Sequence, residues 1–292
     1  HTPVMLGEIL EYLDLAPGKT IVDATVGTAG HAVEVLKKIT PGGRLIGIDR
    51  DEDALAIARS RLEAFSDSFS LCYGSFSDID IILKKCGISK VNGILFDLGV
   101  SSLQLDNPQR GFSFNKEGPL DMRMDKNSYI SAYDLMNNLN EQEISAILWN
   151  FGQERWHRRI ARLLVREREK QPIVTTSQLS DIISRAIPYK YKHQRIHPAT
   201  RTFQAVRIAV NRELESLESA ITKSVDLLKK GGRICVISFH SLEDRIVKWR
   251  FREFAAKGLL HIVTPKPLVP SWQEEKENPS SRSSKLRVAE RL

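Results

Sequence analysis

Cysteine is scarce in this chain. Its 292 residues include three, Cys72, Cys86 and Cys235, which are far apart, odd in number and without a C-x-x-C pair. That argues against a disulfide framework and a structural zinc site and points to a reducing compartment; no metal is expected. Long apolar runs are missing as well. No stretch approaches the roughly 18–20 residues needed to cross a bilayer, and the stretch from His1 to Glu11 has neither the basic nor the apolar region of a secretion signal. A soluble, cytoplasmic protein with no membrane partner is therefore expected, and the opening on His1 in place of Met suggests that a few leading residues are absent. G-x-S-x-G, H-E-x-x-H and H-x-E with P-C-x-x-C do not occur either. Their absence argues against an α/β-hydrolase, a zincin and a zinc deaminase in turn.

What is present is 41% hydrophobic and 27% charged, enough for one large domain or two. A chain of this size typically buries about 75% of the surface that its unfolded form exposes, so it needs no staples. The formal net charge is +7, and it is unevenly spread: between Gln153 and Arg212 lie 14 Lys+Arg and 4 Asp+Glu, whereas the other 232 residues carry 29 and 32. The basic excess belongs to one segment. Such a block fits a polyanion, most often nucleic acid, or else a solvated helical surface.

From Lys19 to Asp97, short apolar runs alternate with helix-period segments. Thr20–Ala24, Arg44–Asp49, Phe69–Tyr73 and Gly93–Asp97 read as strands, with helices around Ala32–Lys38, Glu52–Phe65 and Asp78–Lys85 between them. This alternation predicts βαβ units and a parallel, Rossmann-like α/β sheet covered on both faces. The fifth strand is Arg233–Ser238, after a helix stop at Lys229–Gly232. Apolar residues at 203, 206, 210, 214, 217, 221, 225 and 228 predict one long crossover helix before it. A crossover needs about a dozen residues, yet 135 separate the fourth and fifth strands. The surplus reads as helical, with pieces at Ser131–Leu139, after Asn140 and after Thr175, the last two opened by capping boxes with Glu143 and Gln178. An all-helical subdomain, 107–197, is thus expected inside a sheet domain formed by 1–106 and 198–292. Beyond Ser238 the pattern gives a helix at Leu242–Ala256 and a final hairpin of Leu260–Val263 and Lys285–Ala289, joined by an extended loop over Pro265–Ser284.

Small residues after the first strand, with Gly27, Ala29, Gly30 and then His31, let a ligand approach the backbone and the following helix N-terminus, and Asp49 at the second strand's tip suits ribose hydroxyls. The turn is not G-x-G-x-x-G. Asp23 before it suits a cofactor with a cationic amino-acid tail, such as S-adenosylmethionine; a merely tight strand-helix turn is the bland alternative. Asp97 ends the fourth strand at the edge where ligands of such sheets collect, and could align a nucleophile. His240 is a candidate general base, against which stands a histidine satisfied in place or a cap formed by Ser241 with Asp244. Arg155, Arg159, Arg162 and Arg166 recur at helical spacing beside an apolar stripe of Trp156, Ile160 and Leu163. Tyr189 to Arg195 interleaves aromatics with Lys190, Lys192 and Arg195. Both suit phosphates and unpaired RNA bases; an exposed charged helix and an ordinary loop are the alternatives.

Several long strings then coincide: Asp97–Asp106, Arg110–Phe114, Gly118–Asp125, His197–Ala205, Ser238–Arg245 and Asn278–Arg291. Together, and over the whole chain, they resemble the MraW/RsmH family of 16S rRNA (cytosine-N4) methyltransferases. The resemblance implies a class I methyltransferase sheet, S-adenosylmethionine as methyl donor, and a decoding-region cytosine of 16S rRNA, within the 30S subunit, as target. It places cofactor contacts at Ala29, Gly30, His31, Asp49, Phe76, Asp97 and Gln104. Family members usually carry more glycine in the first turn than Gly27-Thr28-Ala29-Gly30. Like this chain, they lack the N/D-P-P-Y string of many amino-methyltransferases, so the group that handles the amine proton is not fixed by motif. An NAD-dependent oxidoreductase and an RNA-binding assembly factor with a vestigial pocket remain as rival readings, and the oligomeric state is left open.

Overall fold

The computed structural model describes residues 3–191 and 196–292. They form two compact units, one of residues 1–99 and 214–292 and one of residues 100–213.

The first unit opens with α1 (Leu6–Tyr12) and then alternates β1 (Thr20–Asp23), α2 (Gly30–Ile39), β2 (Arg44–Asp49), α3 (Glu52–Leu62), β3 (Phe69–Tyr73), α4 (Ile79–Lys85) and β4 (Val91–Asp97). The second unit supplies α5 (Ser102–Asp106), α6 (Ala132–Asn138), α7 (Glu141–Gly152), α8 (His157–Arg168), α9 (Thr176–Ala186) and α10 (Thr200–Asn211). The chain returns through α11 (Glu213–Leu227), β5 (Leu228–Ser238), α12 (Ser241–Ala256), β6 (Leu260–Ile262), α13 (Trp272–Glu277) and β7 (Lys285–Arg291). The sheet order is β3-β2-β1-β4-β5-β7-β6, with β1 to β5 parallel and β7 antiparallel to both neighbours.

Alternation along each strand explains why the runs are apolar throughout. Val22, Ile46, Ile94 and Val236 join a core with α4, α11 and α12, while Ile21, Leu45, Leu95 and Cys235 join another with α1, α2 and α3. Each fully buried aliphatic side chain is worth about 1.5–3 kcal/mol, so neither face tolerates a one-residue slip. The expected α/β sheet is present. Register also puts the ends of β1, β2 and β4, and so Asp23, Asp49 and Asp97, at the same edge.

The helical unit has its own core, built from residues such as Met122, Met136, Ile144, Leu148, Ile160, Leu179 and Phe203. The capping boxes Asn140–Glu143 and Thr175–Gln178 open α7 and α9 as expected. Arg110 is buried and donates to the carbonyls of Arg123 and Met124 at 3.0 and 2.8 Å. Gly118 lies so close to Pro108 that a Cβ would stand 1.8 Å from its carbonyl oxygen. The unusual strings Arg110–Phe114 and Gly118–Asp125 are therefore spent on building this unit.

Four expectations differ from the structure. The crossover is two helices, not one: Arg212 takes a left-handed conformation (φ 48°) and ends α10. Asn211 is held there by accepting from the Met124 N–H and donating to the Met122 carbonyl, and Arg207 pairs with Glu213 through two 2.8 Å bonds. In consequence α10 belongs to the helical unit, which runs from 100 to 213, wider than the 107–197 expected. Residues 229–232 continue β5 as an excursion between Leu228, opposite Val91, and Arg233, opposite Gly93. The stretch Pro265–Ser284 is not wholly extended, because Ser271 accepts from the Glu274 N–H and caps α13.

Candidate functional site

The carboxyl edge of the sheet is built from the turn after β1. Gly27 (φ 49°) donates its N–H to Asp49 Oδ2 at 2.8 Å, and the Asp51 N–H reaches Oδ1 at 2.9 Å. Each carboxylate oxygen thus holds one backbone donor and keeps acceptor capacity for another. Burial raises the Asp49 pKa, against the lowering effect of those two N–H groups. Ala29 is also left-handed (φ 68°, ψ 29°) and caps α2 without a side-chain bond. That geometry costs a residue with a Cβ on the order of 1–2 kcal/mol. Gly30 begins α2 directly after it.

Asp23 is almost wholly buried, accepts from the Thr25 N–H at 3.2 Å, and is pushed up to about 7 by burial. Thr25 ties this turn to β4 by accepting the Asp97 N–H at 2.7 Å. The Asp97 side chain presents a different picture: Oδ1 is buried with no hydrogen-bond partner among the described residues. Burial, and then the charge of Glu243, push its pKa up to about 7.

His31 stands beside Asp97, its Nδ1 3.5 Å from Oδ2. Its Nε2 is 2.9 Å from the Val4 carbonyl oxygen, which can only accept, so Nε2 carries the hydrogen. Burial lowers the His31 pKa and keeps the ring neutral. Nδ1 is then an acceptor facing a carboxyl group, an arrangement that favours a proton on Asp97.

His240 caps α12. Its Nδ1 accepts the Glu243 N–H at 3.4 Å, and Glu243 Oε2 accepts the N–H groups of Phe239 and His240 at 2.8 and 3.2 Å. The cap is thus His240 with Glu243, not Ser241 with Asp244. With its lone pair taken by the helix, the ring has no free basic nitrogen for a general base. The H-x-x-E spacing at 240–243 is the signal that discloses this cap, easily missed because capping boxes usually begin with Ser or Thr. Phe76, just after β3, packs edge-on against Phe96 of β4 with ring centroids 5.8 Å apart, under the Arg50 guanidinium. Gln104 lies in the helical unit, buried, closing the capping box of α5 with Ser101.

In the helical unit, Arg155 precedes α8 and so leaves the expected helical stripe; Arg159, Arg162 and Arg166 lie on α8, and all four are exposed. The buried face of α8 is Ile160, Ala161 and Leu164, while Trp156 and Leu163 are half-buried beside it. Arg155 still joins a cluster, its guanidinium 5.3 Å from the Trp156 ring and 5.1 Å from that of Tyr191, with Lys190 5.0 Å from Tyr191. Lys192 and Arg195 lie outside the described residues. A cavity of about 550 Å³ between α8 and α9 is lined by charges of both signs, including Glu167, Lys170, Asp181 and Arg185, and includes none of the expected site residues.

A parallel α/β sheet with acid-tipped first, second and fourth strands around a small-residue turn is the layout of a protein that binds an adenosine-type cofactor at its carboxyl edge. The MraW methylase family matches residues 1–292, and the chain belongs to that family. It is 50% identical over 307 aligned positions to the ribosomal RNA small subunit methyltransferase H of Geobacter sulfurreducens, covering 100% of this chain and 99% of that protein. The protein of the same name from Trichlorobacter lovleyi is 48% identical, with 100% and 98% covered. A crystal structure of an rRNA methylase from Streptococcus thermophilus aligns with a TM-score of 0.44 at 12% identity, over 98% of this chain and 92% of that one. No helix among the described residues is long and apolar enough to cross a membrane.

Proposed function

We propose that the protein transfers a methyl group from S-adenosylmethionine to the exocyclic N4 of a cytosine in the decoding region of 16S rRNA, within the 30S subunit. Membership of a methylase family, and relatives named as small-subunit rRNA methyltransferases, support the reaction class. The observation that carries the assignment of the reacting edge is the buried, unpartnered Oδ1 of Asp97. A buried polar atom without a partner is costly unless a ligand completes it.

The side chains at this edge fit the cofactor. Asp49 has the remaining acceptor capacity that two ribose hydroxyls require, Gly27, Ala29 and Gly30 keep the turn small, and Phe76 offers a ring beside β4. Asp23 and Asp97 provide two carboxylates for a molecule that carries an ammonium and a sulfonium. When bound, S-adenosylmethionine supplies an already activated methyl group.

Cytosine N4 is a weak nucleophile, because its lone pair is conjugated into the ring. Asp97 Oδ1 accepts an N4–H hydrogen bond, turns the lone pair out of that conjugation, and takes the proton that the amine loses as its new bond forms. With a pKa near 7 the carboxyl is matched to that work at neutral pH. In-line positioning supplies most of the acceleration. His31 assists as a neutral neighbour of Asp97; His240 positions Glu243, whose charge acts on Asp97.

The exposed arginines of the helical unit hold the RNA by its phosphates while the target base is drawn out of its stack. Replacing Arg155, Arg159 and Arg162 together with Ala is expected to weaken binding to 16S rRNA. The slope of log K against log salt should fall by about 0.7–0.9 for each phosphate left without its arginine, or about 2–3 in all. An unchanged slope removes these residues from the interface. The reaction itself is tested by incubating labelled cofactor with naked 16S rRNA and with 30S subunits and mapping the product by mass. N4-methylcytidine in the decoding region is expected, in 30S subunits above all; label on another base or another atom overturns the assignment.

A further inference from the structure

The sequence concentrates basic charge in residues 153–212, and the rest of the chain is slightly acidic. Within the sheet unit, α12 carries four cations against three acids. α12 packs Val247, Phe251 and Phe254 inward, and its opposite side carries Arg245, Trp249 and Arg252, all exposed and spaced at i, i+4 and i+7. Trp249 is 58% exposed. Lys248 and Arg252 flank its ring, with Nζ 5.8 Å and the guanidinium carbon 5.5 Å from the centroid.

The other charges of this helix are paired. Asp244 binds Arg287 and Lys285, while Arg250 binds Glu218 and Glu253. Among the described residues, Arg245, Lys248 and Arg252 have no carboxylate partner. Folding therefore uses the neighbouring cations and leaves these three without an acidic partner, Arg245 and Arg252 exposed and Lys248 half-buried beside an open indole. The indole takes no part in the core beneath α12, which is built from Val247, Phe251 and Phe254. Cations alternating with an exposed aromatic face provide phosphate contacts and a stacking platform for an unpaired base. An acidic peptide would use the cations and leave the ring idle.

We propose that the Arg245–Lys248–Trp249–Arg252 face of α12 is a second RNA-binding surface, on the sheet unit, that takes a single-stranded segment of the substrate rRNA. Arg245 and Arg252, about 10 Å apart along the helix axis, hold phosphates on either side of a base stacked on Trp249, and Lys248 adds a third cation. The inference rests on the reading of rRNA as the substrate, and adds to it a contact outside the arginine-rich helical unit.

The test uses the full chain, protein-free 16S rRNA and 30S subunits, with R245Q/R252Q, W249A and W249F as variants. All the replaced side chains are exposed, so the thermal transition and the affinity for S-adenosylmethionine are expected to stay at wild-type values. R245Q/R252Q is expected to lower the salt slope for 16S rRNA by about 1.4–1.8. W249A should weaken RNA binding about tenfold at fixed salt with no change in slope, and W249F should restore most of it. Wild-type slope and affinity in all three variants would overturn the proposal while leaving the rRNA reading intact. Loss of affinity for 30S subunits with unchanged binding to protein-free rRNA would overturn it in favour of a ribosomal protein as partner. If the wild-type chain itself binds neither 16S rRNA nor 30S subunits, the substrate reading and the proposal fall together.

Discussion

Replacing Asp97 with Asn is expected to lower single-turnover methylation by about 10²–10⁴-fold, while weakening S-adenosylmethionine binding by no more than about tenfold. Asn keeps the volume of the side chain and can still accept a hydrogen bond through its carbonyl oxygen, so the base is held much as before. It cannot take the proton. The difference between the two effects separates a catalytic carboxylate from one that merely anchors the cofactor, since the proposed contacts at Asp49 and Asp23 are intact in the variant. If both the single-turnover rate and the cofactor affinity match wild type, Asp97 has no role in either step.

The pH dependence carries the same assignment with a definite sign. In the proposed reaction Asp97 works as the carboxylate, and burial followed by the Glu243 charge puts its pKa at about 7. The methylation rate should therefore rise with pH through an acidic limb and level off above it. A cationic ligand beside the carboxylate favours the charged form, so the limb with bound cofactor lies at or below this value. In Asp97→Asn the limb should disappear and the residual rate should be flat across it. A limb of unchanged position in the variant would assign the titration to another group.

The strands are legible because both faces of this sheet are covered. A doubly covered strand is apolar at every position, so Leu45–Asp49 and Ile94–Asp97 stand out from any surface segment, and their acidic ends mark the carboxyl edge. The break at Arg212 is hidden for the opposite reason. Apolar spacing runs on from Phe203 to Leu228 without interruption, and what ends the helix is a non-local contact, Asn211 with Met122 and Met124, almost ninety residues away in sequence. Arg155 leaves its expected stripe because α8 begins only at His157. His240 reads as a base because residue type does not disclose that a ring nitrogen is already used by the backbone. The α12 surface is hidden in the sequence since its cations lie among acids there, and only the structure separates the paired from the unpaired.

Asp23→Asn should make the ligand-free protein more stable and a poorer binder. Asp23 is buried before the first turn, and burial puts its folded pKa near 7, above the ordinary 3.8. Between those values the folded state keeps a proton that the unfolded chain has lost. The stabilisation this gives is complete below about pH 4 and is lost as pH rises through 7, so at pH 8 the fold carries a buried charge. Asn carries none and still accepts the Thr25 N–H. Denaturant unfolding should find Asp23→Asn more stable than wild type at pH 8, on the order of 2–4 kcal/mol, with the two converging near pH 4. In the proposed complex the same charge that strains the free fold is the partner for a cationic amino-acid tail, so calorimetry should find S-adenosylmethionine bound about 10–100-fold more weakly by the variant. A cofactor concentration of 100 wild-type Kd stabilises wild type by about 2.7 kcal/mol, whereas a variant bound 100-fold more weakly gains only about 0.4 kcal/mol. The variant's advantage at pH 8 should therefore shrink by about 2 kcal/mol when cofactor is added. Equal stability at pH 8, or an advantage that added cofactor leaves untouched, would show that Asp23 is not held charged for this ligand.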